Sequence, residues 1–268
     1  MTKMAVSHIF SLQGHRVMLT GATGHLGKEI AMGLGKAGAE LILIARNEQQ
    51  GEDLVDDLAK SGIRADFIAC NLANETSIDC IGEMVQNQAI HGLVNNAYSG
   101  GGGSVETSDS DQWRAAYEIS VVAAQRLVKL LLPNLRQAVC QTANASIVNI
   151  GSMYGSVSPD LRIYKDKFSS NPPYYGAAKA ALGQFTRYAA CELGSEAIRV
   201  NQISPGPFPS PAVQNHLPHF IQKLRGKCPL GRIGEPNEIV GPVVFLLSPA
   251  SSFITGSNLA VDGGWTAW

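Results

Sequence analysis

The feature that most restricts the fold of this chain is a regular alternation of short β-rich runs with longer helix-forming stretches. "RVMLT" (16–20), "ELILIA" (40–45), "ADFIAC" (65–70), "GLVNN" (92–96), "SIVNIG" (146–151) and "IRVNQIS" (198–204) read as strands. Several are apolar nearly throughout, the pattern of strands covered on both faces. Helix-like segments lie near 25–37, 47–61, 74–88, 109–132, 174–193 and 236–247. This alternation predicts a mostly parallel sheet with helices on both sides. Right-handed crossovers then make a doubly wound α/β fold the expected topology.

No break in composition divides the 268 residues, so a single domain over 1–268 is expected. "SGGGGS" (99–104) follows a strand and precedes a helix, and reads as a flexible loop. Two turn-rich segments, 156–173 and 204–224, leave the carboxyl ends of strands, where open α/β sheets place their ligands. They are candidate substrate loops. A net charge of −1 argues against nucleic acid or a membrane surface as partner, since both call for a cationic field. Cys70, Cys80, Cys140, Cys191 and Cys228 are odd in number and scattered. They read as buried thiols of a reducing compartment. The start "MTKMAVSHIFSLQGHRVMLTG" lacks the apolar run and cleavage site of an export signal. "VVAAQRLVKLLLP" is interrupted by Gln125, Arg126 and Lys129 and is too short to span a bilayer. A cytoplasmic location is expected. His216 and His219 fall in a lid-like segment with no third ligand at metal spacing, so no metal is expected. His8, His15 and His91 read as surface or edge residues.

"TGATGHLG" (20–27) joins the first strand to the first helix. Gly21 allows a tight turn, Gly24 a close approach of backbone to a diphosphate, and Gly27 close helix–strand packing. With Thr23, His25 and Leu26 they form the candidate cradle of a dinucleotide, set at a helix amino end. His25 is open to two readings, a phosphate contact or a cap on the first helical turn. The second strand ends "LILIARNE", with Arg46 where an acid would bind a ribose 2′-hydroxyl. Arginine there favours a 2′-phosphate, hence NADP, with NAD possible; the alternative is a solvated side chain or one stacked on adenine.

"NPPYYGAAKAAL" (171–182) sets two tyrosines before a lysine. Tyr175 and Lys179 are one turn apart and share a helix face, whereas Tyr174 points about 100° away. With "NNAY" (95–98), "IVNIGS" (147–152) and "YGAAK" (175–179), the chain resembles the short-chain dehydrogenase/reductase family, with its Rossmann-type fold. The likeness continues through "RVNQISPG" (199–206) and "CPLGRIGEPNEI" (228–239) to "SSFITGSNLAVDGG" (251–264). It implies an NAD(P)-dependent oxidoreductase interconverting a secondary alcohol and a ketone. Residues 12–110 would mainly hold the cofactor and 111–268 carry catalysis and substrate. Tyr175 would be the acid/base, Lys179 its activating cation and a ligand of the nicotinamide ribose, and Ser152 the holder of the substrate oxygen. Asn95 and Ala97 would line the cofactor site, Asn71 and Leu72 flank the adenine, and Pro205, Gly206 and Phe208 border the nicotinamide. A homodimer or homotetramer is implied, with the carboxyl-terminal strand at a subunit interface. The chemistry is sound in itself: a free phenol titrates near 10, and an ammonium beside it would lower that value toward the working range.

The chain departs from the family pattern at four places. His25 gives the glycine turn the spacing of the longer sugar-nucleotide-modifying relatives. Tyr98 stands where glycine is usual, as an active-site wall or a filler of space. Ser120 replaces an asparagine of the proton relay, and is retained as a catalytic candidate because a hydroxyl can hold a water. Ser152 and Tyr175 are separated by an unusually long segment (175 − 152 = 23), which should roof or flank the substrate pocket. Sugar or polyol and 3-oxoacyl thioester substrates both fit the resemblance. The alternatives are a sugar-nucleotide-modifying enzyme and a non-catalytic NAD(P)-sensing protein.

Overall fold

The computed structural model describes residues 6–268; residues 1–5, on which part of the amino-terminal reading rests, lie outside it. Seven strands form one sheet: β1 Arg16–Thr20, β2 Glu40–Ala45, β3 Ala65–Ala69, β4 Gly92–Asn95, β5 Ala145–Ile150, β6 Ile198–Pro205 and β7 Asn258–Val261. Their order is β3-β2-β1-β4-β5-β6-β7, and every neighbouring pair is parallel. The order reverses between β1 and β4, which opens a crevice at the carboxyl ends of those strands. β7 was implied only by the family resemblance. Its residues alternate between exposed and half-buried at the sheet edge, so it carries no apolar run to read.

The helices are α1 Val6–Ile9, α2 His25–Lys36, α3 Glu48–Lys60, α4 Glu75–Met84, α5 Ser110–Tyr117, α6 Ala123–Thr142, α7 Pro173–Leu193, α8 Pro211–His216, α9 Pro218–Lys227 and α10 Val240–Leu247. Strand alternation divides the core into two layers. Met18 and Ile147 face one layer with Ile81 of α4, Leu127 of α6 and Ala189 of α7. Val17, Leu19 and Val148 face the other with Ile30 of α2, Leu58 of α3 and Val243 of α10. The apolar strands of the sequence are therefore buried on both faces.

Two helical expectations change. The helix expected over 109–132 runs on through Pro133 to Thr142, with a π-turn at Glu118–Val122 between α5 and α6. Burial of Leu131, Leu135 and Ala138 around the proline offsets the backbone bond that proline forfeits. The turn-rich 204–224 segment is mostly helical, as α8 and α9, each started by a proline in its first turn, where the missing N–H costs nothing. Two side-chain readings also change. Cys80, Cys140 and Cys191 are exposed, and only Cys70 and Cys228 are buried. His91 is buried: its ring stacks on His15, and its Nδ1 accepts from the Arg16 backbone N–H at 3.1 Å.

Candidate active site

The glycine turn closes as its sequence requires. Gly21 has φ +63°, and a Cβ there would lie 2.9 Å from the Ala97 backbone. A Cβ on Gly27 would lie 2.1 Å from the Gly21 carbonyl, so only glycine lets α2 start this close to β1. Thr20 and Asn96 lock the turn to β4. The Thr20 hydroxyl accepts from the backbone N–H groups of Asn96 (2.9 Å) and Ala97 (3.1 Å), and Asn96 Nδ2 donates to the carbonyls of Thr20 and Gly21. Both residues were missed as site residues; the doubled asparagine of "NNAY" was the available signal.

Above this turn lies a crevice of about 550 Å³. Gly21, Thr23, Gly24, His25, Leu26 and Gly27 form its floor, Arg46 one wall, Asn71 and Leu72 another, and Ala97 its inner end. These expected residues are thus brought together, with Ile44, Cys70 and Glu118 added. No side chain caps α2 at Gly24, so its first N–H groups point free into the crevice, an anion site. His25 Nε2 is buried against the crevice without a partner, and no capping bond supports the alternative reading of this residue. Arg46 is exposed at the end of β2. A glycine cradle, an uncapped helix end, an orphaned ring nitrogen and a cation at the rim fit a phosphorylated dinucleotide.

The second group of residues assembles on β5 and α7. Two close approaches fix it. A Cβ on Gly176 would lie 2.6 Å from the Tyr154 carbonyl, and one on Gly155 would lie 3.0 Å from the Lys179 backbone. α7 therefore packs directly on the turn Met153–Gly155 that follows Ser152. Ser152 is buried and accepts from the Tyr154 N–H at 3.1 Å. Lys179 is 3% exposed, and its Nζ donates to the Ile150 carbonyl at 2.7 Å. Burial pulls its pKa down to about 8. Tyr175 is half-buried, with the Lys179 ammonium 5.9 Å from its ring centre. Tyr174 is buried against Ala116 and Ala178, a packing residue.

The expected acidification of Tyr175 is absent. Burial raises its pKa, opposed by a hydrogen bond with the Ser152 hydroxyl, and Lys179 is directed at Ile150 instead. Ser120 is buried in the π-turn with its hydroxyl unpartnered. It borders a cavity of about 10 Å³ shared with Asn95 and Lys179. Asn95 faces that cavity, not the crevice; its Nδ2 donates to Asn149 Oδ1 (2.8 Å), whose own Nδ2 donates to the Thr186 hydroxyl (2.9 Å). This buried chain ties β4, β5 and α7 together.

Pro205 ends β6 and Gly206 follows it, its N–H donating to the Val261 carbonyl; neither lines the crevice. The structure does not bring Phe208 to the crevice: it lines a separate cavity with Cys228 and Ile233, packed on Gly234. The insert 156–173 packs on α8 and α9. The rings of Tyr164 and Phe220 meet at a tilt of 39° with centroids 5.2 Å apart, the Tyr164 hydroxyl meets that of Tyr154 at 3.2 Å, and Lys227 Nζ reaches Asp160 at 2.8 Å. Arg162 and Lys227 hold the Asp160 carboxyl well below the usual carboxylate range. Among the described residues no group of three His, Cys, Asp or Glu could hold a metal, and no helix is long and apolar enough to cross a membrane.

Comparison with known proteins agrees with this geometry. The family described as enoyl-(acyl carrier protein) reductase matches residues 21–266. The rhamnolipids biosynthesis 3-oxoacyl-(acyl-carrier-protein) reductase of Pseudomonas aeruginosa is 31% identical over 96% of this chain and 98% of its own length. Galactitol 2-dehydrogenase (L-tagatose-forming) of Cereibacter sphaeroides is 31% identical over 97% and 98%. The crystal structure of a gluconate 5-dehydrogenase from Burkholderia cenocepacia, in complex with NADP and tartrate, superposes with a TM-score of 0.85 at 25% identity, covering 98% of this chain and all of that one. With the fold, the glycine cradle and the Ser152–Tyr175–Lys179 cluster already in place, these likenesses show that the chain belongs to the short-chain dehydrogenase/reductase family of NAD(P)-dependent oxidoreductases.

Proposed function

We propose that the chain is a single-domain, cytoplasmic, homo-oligomeric NADP(H)-dependent enzyme that interconverts a secondary alcohol and a ketone on a compact sugar- or polyol-type substrate. The observation that carries the reaction is the placement of Ser152, Tyr175 and Lys179 on one close-packed unit of β5 and α7. The bound nicotinamide supplies or accepts hydride. Burial keeps the Tyr175 phenol protonated at neutral pH, the form needed to protonate a carbonyl oxygen as it gains electron density. The Ser152 hydroxyl, in contact with that phenol, holds the same oxygen and so aims its carbon. Lys179, bonded to the Ile150 carbonyl, borders the cavity it shares with Ser120, and its remaining N–H groups would hold the ribose hydroxyls of a bound nicotinamide nucleotide. That cavity is the size of one water, and a water hydrogen-bonded to the Ser120 hydroxyl would refill the proton.

Arg46 at the crevice rim supports NADP, in keeping with the NADP in the gluconate 5-dehydrogenase complex. A compact substrate is supported by the covering of Tyr175, which packs against a buried apolar cluster that includes Met153, Tyr154 and Trp265 with Ile163 of the insert and Ile221 of α9. A 3-oxoacyl thioester is the second reading, supported by the reductase of Pseudomonas aeruginosa. Loss of reduced-nicotinamide absorbance, followed with NADPH and NADH against sugars, polyols' ketones and 3-oxoacyl thioesters, decides between them. Tyr175→Phe should lower turnover by about 10²–10⁴-fold while cofactor affinity changes little. Undiminished turnover in that variant removes Tyr175 from the reaction.

A further inference from the structure

The two halves of the proposed site do not meet. Tyr98 lines the crevice beside Ala97, and none of Ser152, Tyr175 or Lys179 belongs to its walls. Tyr98 stands between. Its ring meets that of Tyr175 edge-on, with centroids 4.7 Å apart and planes at 76°. The Lys179 ammonium lies 5.4 Å from the Tyr98 ring centre, nearer than to the ring of Tyr175. A planar group entering between two rings needs about 7 Å, twice the usual carbon contact. No such room exists here. Yet a dinucleotide cradled at Gly21–Gly27 has to extend its reacting end to Tyr175.

We infer that Tyr98 is a movable wall between the dinucleotide crevice and Tyr175, a positioning residue that controls access of the cofactor's reacting end. The inference rests on the reading of the crevice given above. Three features make the wall movable. Its hydroxyl is buried without a partner, so no hydrogen bond anchors the ring, and any displacement toward solvent or ligand recovers one. The loop beyond it is pinned at both ends and loose between. Asn96 and Ala97 are tied to Thr20, and Gly103 exchanges hydrogen bonds with Ser170 of the insert. Ser99, Gly100, Gly101 and Gly102 between those pins are exposed, and a Cβ on Gly101 would meet nothing within 4 Å. Finally, a Cβ on Gly100 would lie 2.2 Å from the Tyr98 hydroxyl. Glycine there lets the backbone lie over the ring in this arrangement and gives it freedom to leave.

The wall acts on the reacting end of the cofactor and spares its adenosine end. NADPH association, followed by stopped-flow nucleotide fluorescence, and the Kd of 2′,5′-ADP, which fills the adenosine half alone, separate these effects. Tyr98→Gly should raise the NADPH association rate about tenfold and leave the 2′,5′-ADP Kd within about twofold. Tyr98→Phe, which keeps the ring but removes the hydroxyl that gains a hydrogen bond on displacement, should associate no faster than the parent. Tyr98→Ala repeats the test if glycine loosens the loop too far. An unchanged NADPH rate in the Gly and Ala variants, or equal shifts for both ligands, overturns the inference while leaving the crevice assignment standing. Absence of binding of NADPH, NADH and 2′,5′-ADP to parent and variants alike overturns the crevice assignment itself, and this inference with it.

Discussion

Lys179 is held in the fold at a cost that its proposed role explains, and that cost can be measured without substrate. Its ammonium is wholly buried, and burial alone moves its pKa from 10.5 to about 8. Below pH 8 the folded protein carries a buried charge that the unfolded chain would keep in water. The difference corresponds to about 3 kcal/mol of lost stability at neutral pH. Between pH 8 and 10.5 the unfolded chain holds a proton that the folded protein has released, so stability rises with pH through that window and the penalty vanishes above it. Lys179→Met removes the charge and nearly preserves the volume, but forfeits the 2.7 Å bond to the Ile150 carbonyl, worth roughly 1–2 kcal/mol. The variant should therefore be inactive, yet about 1–2 kcal/mol more stable than its parent at pH 7. That advantage should disappear and reverse by pH 10. Paired denaturant titrations of the two proteins at pH 7, 8.5 and 10 read this difference, and other titrating groups cancel in the comparison. A stability difference that does not change with pH, or a variant less stable at pH 7, would falsify the reasoning.

Two further outcomes are expected at the crevice. Arg46→Glu should cut the preference for NADPH over NADH by roughly 10–100-fold, the loss of a charge-assisted hydrogen bond of about 1.5–3 kcal/mol; an unaltered ratio of kcat/KM values shows that Arg46 does not read the 2′-phosphate. Gly27→Ala places a Cβ 2.1 Å from the Gly21 carbonyl and 2.8 Å from that of Ala22, so α2 must shift. Its expected cost is about 1–3 kcal/mol in stability, exceeding the roughly 1 kcal/mol that alanine gains over glycine in a helix, together with weaker NADPH binding by titration. A variant as stable as its parent with unchanged affinity would show that the turn tolerates the side chain.

The sheet and the cradle were legible in the order of residues, because those depend on local pattern. Apolar runs such as "ELILIA" can be satisfied only between two helical layers, and Gly27 meets a steric demand set within a few residues of itself, by the Gly21 and Ala22 carbonyls, while Gly21 meets the positive φ of its own turn. The four-residue spacing of Tyr175 and Lys179 likewise needs only a helix. Where those side chains point and what surrounds them emerged from long-range packing. That Lys179 is directed at Ile150, that Tyr175 is made less acidic, and that Phe208 turns to another cavity all follow from contacts between residues distant in the chain. So do the extension of α6 through Pro133, which survives on long-range packing, and the position of Tyr98 across the path to Tyr175. Burial and charge are properties of the assembled environment, and a one-dimensional pattern holds the candidates for a site without the distances that make it work.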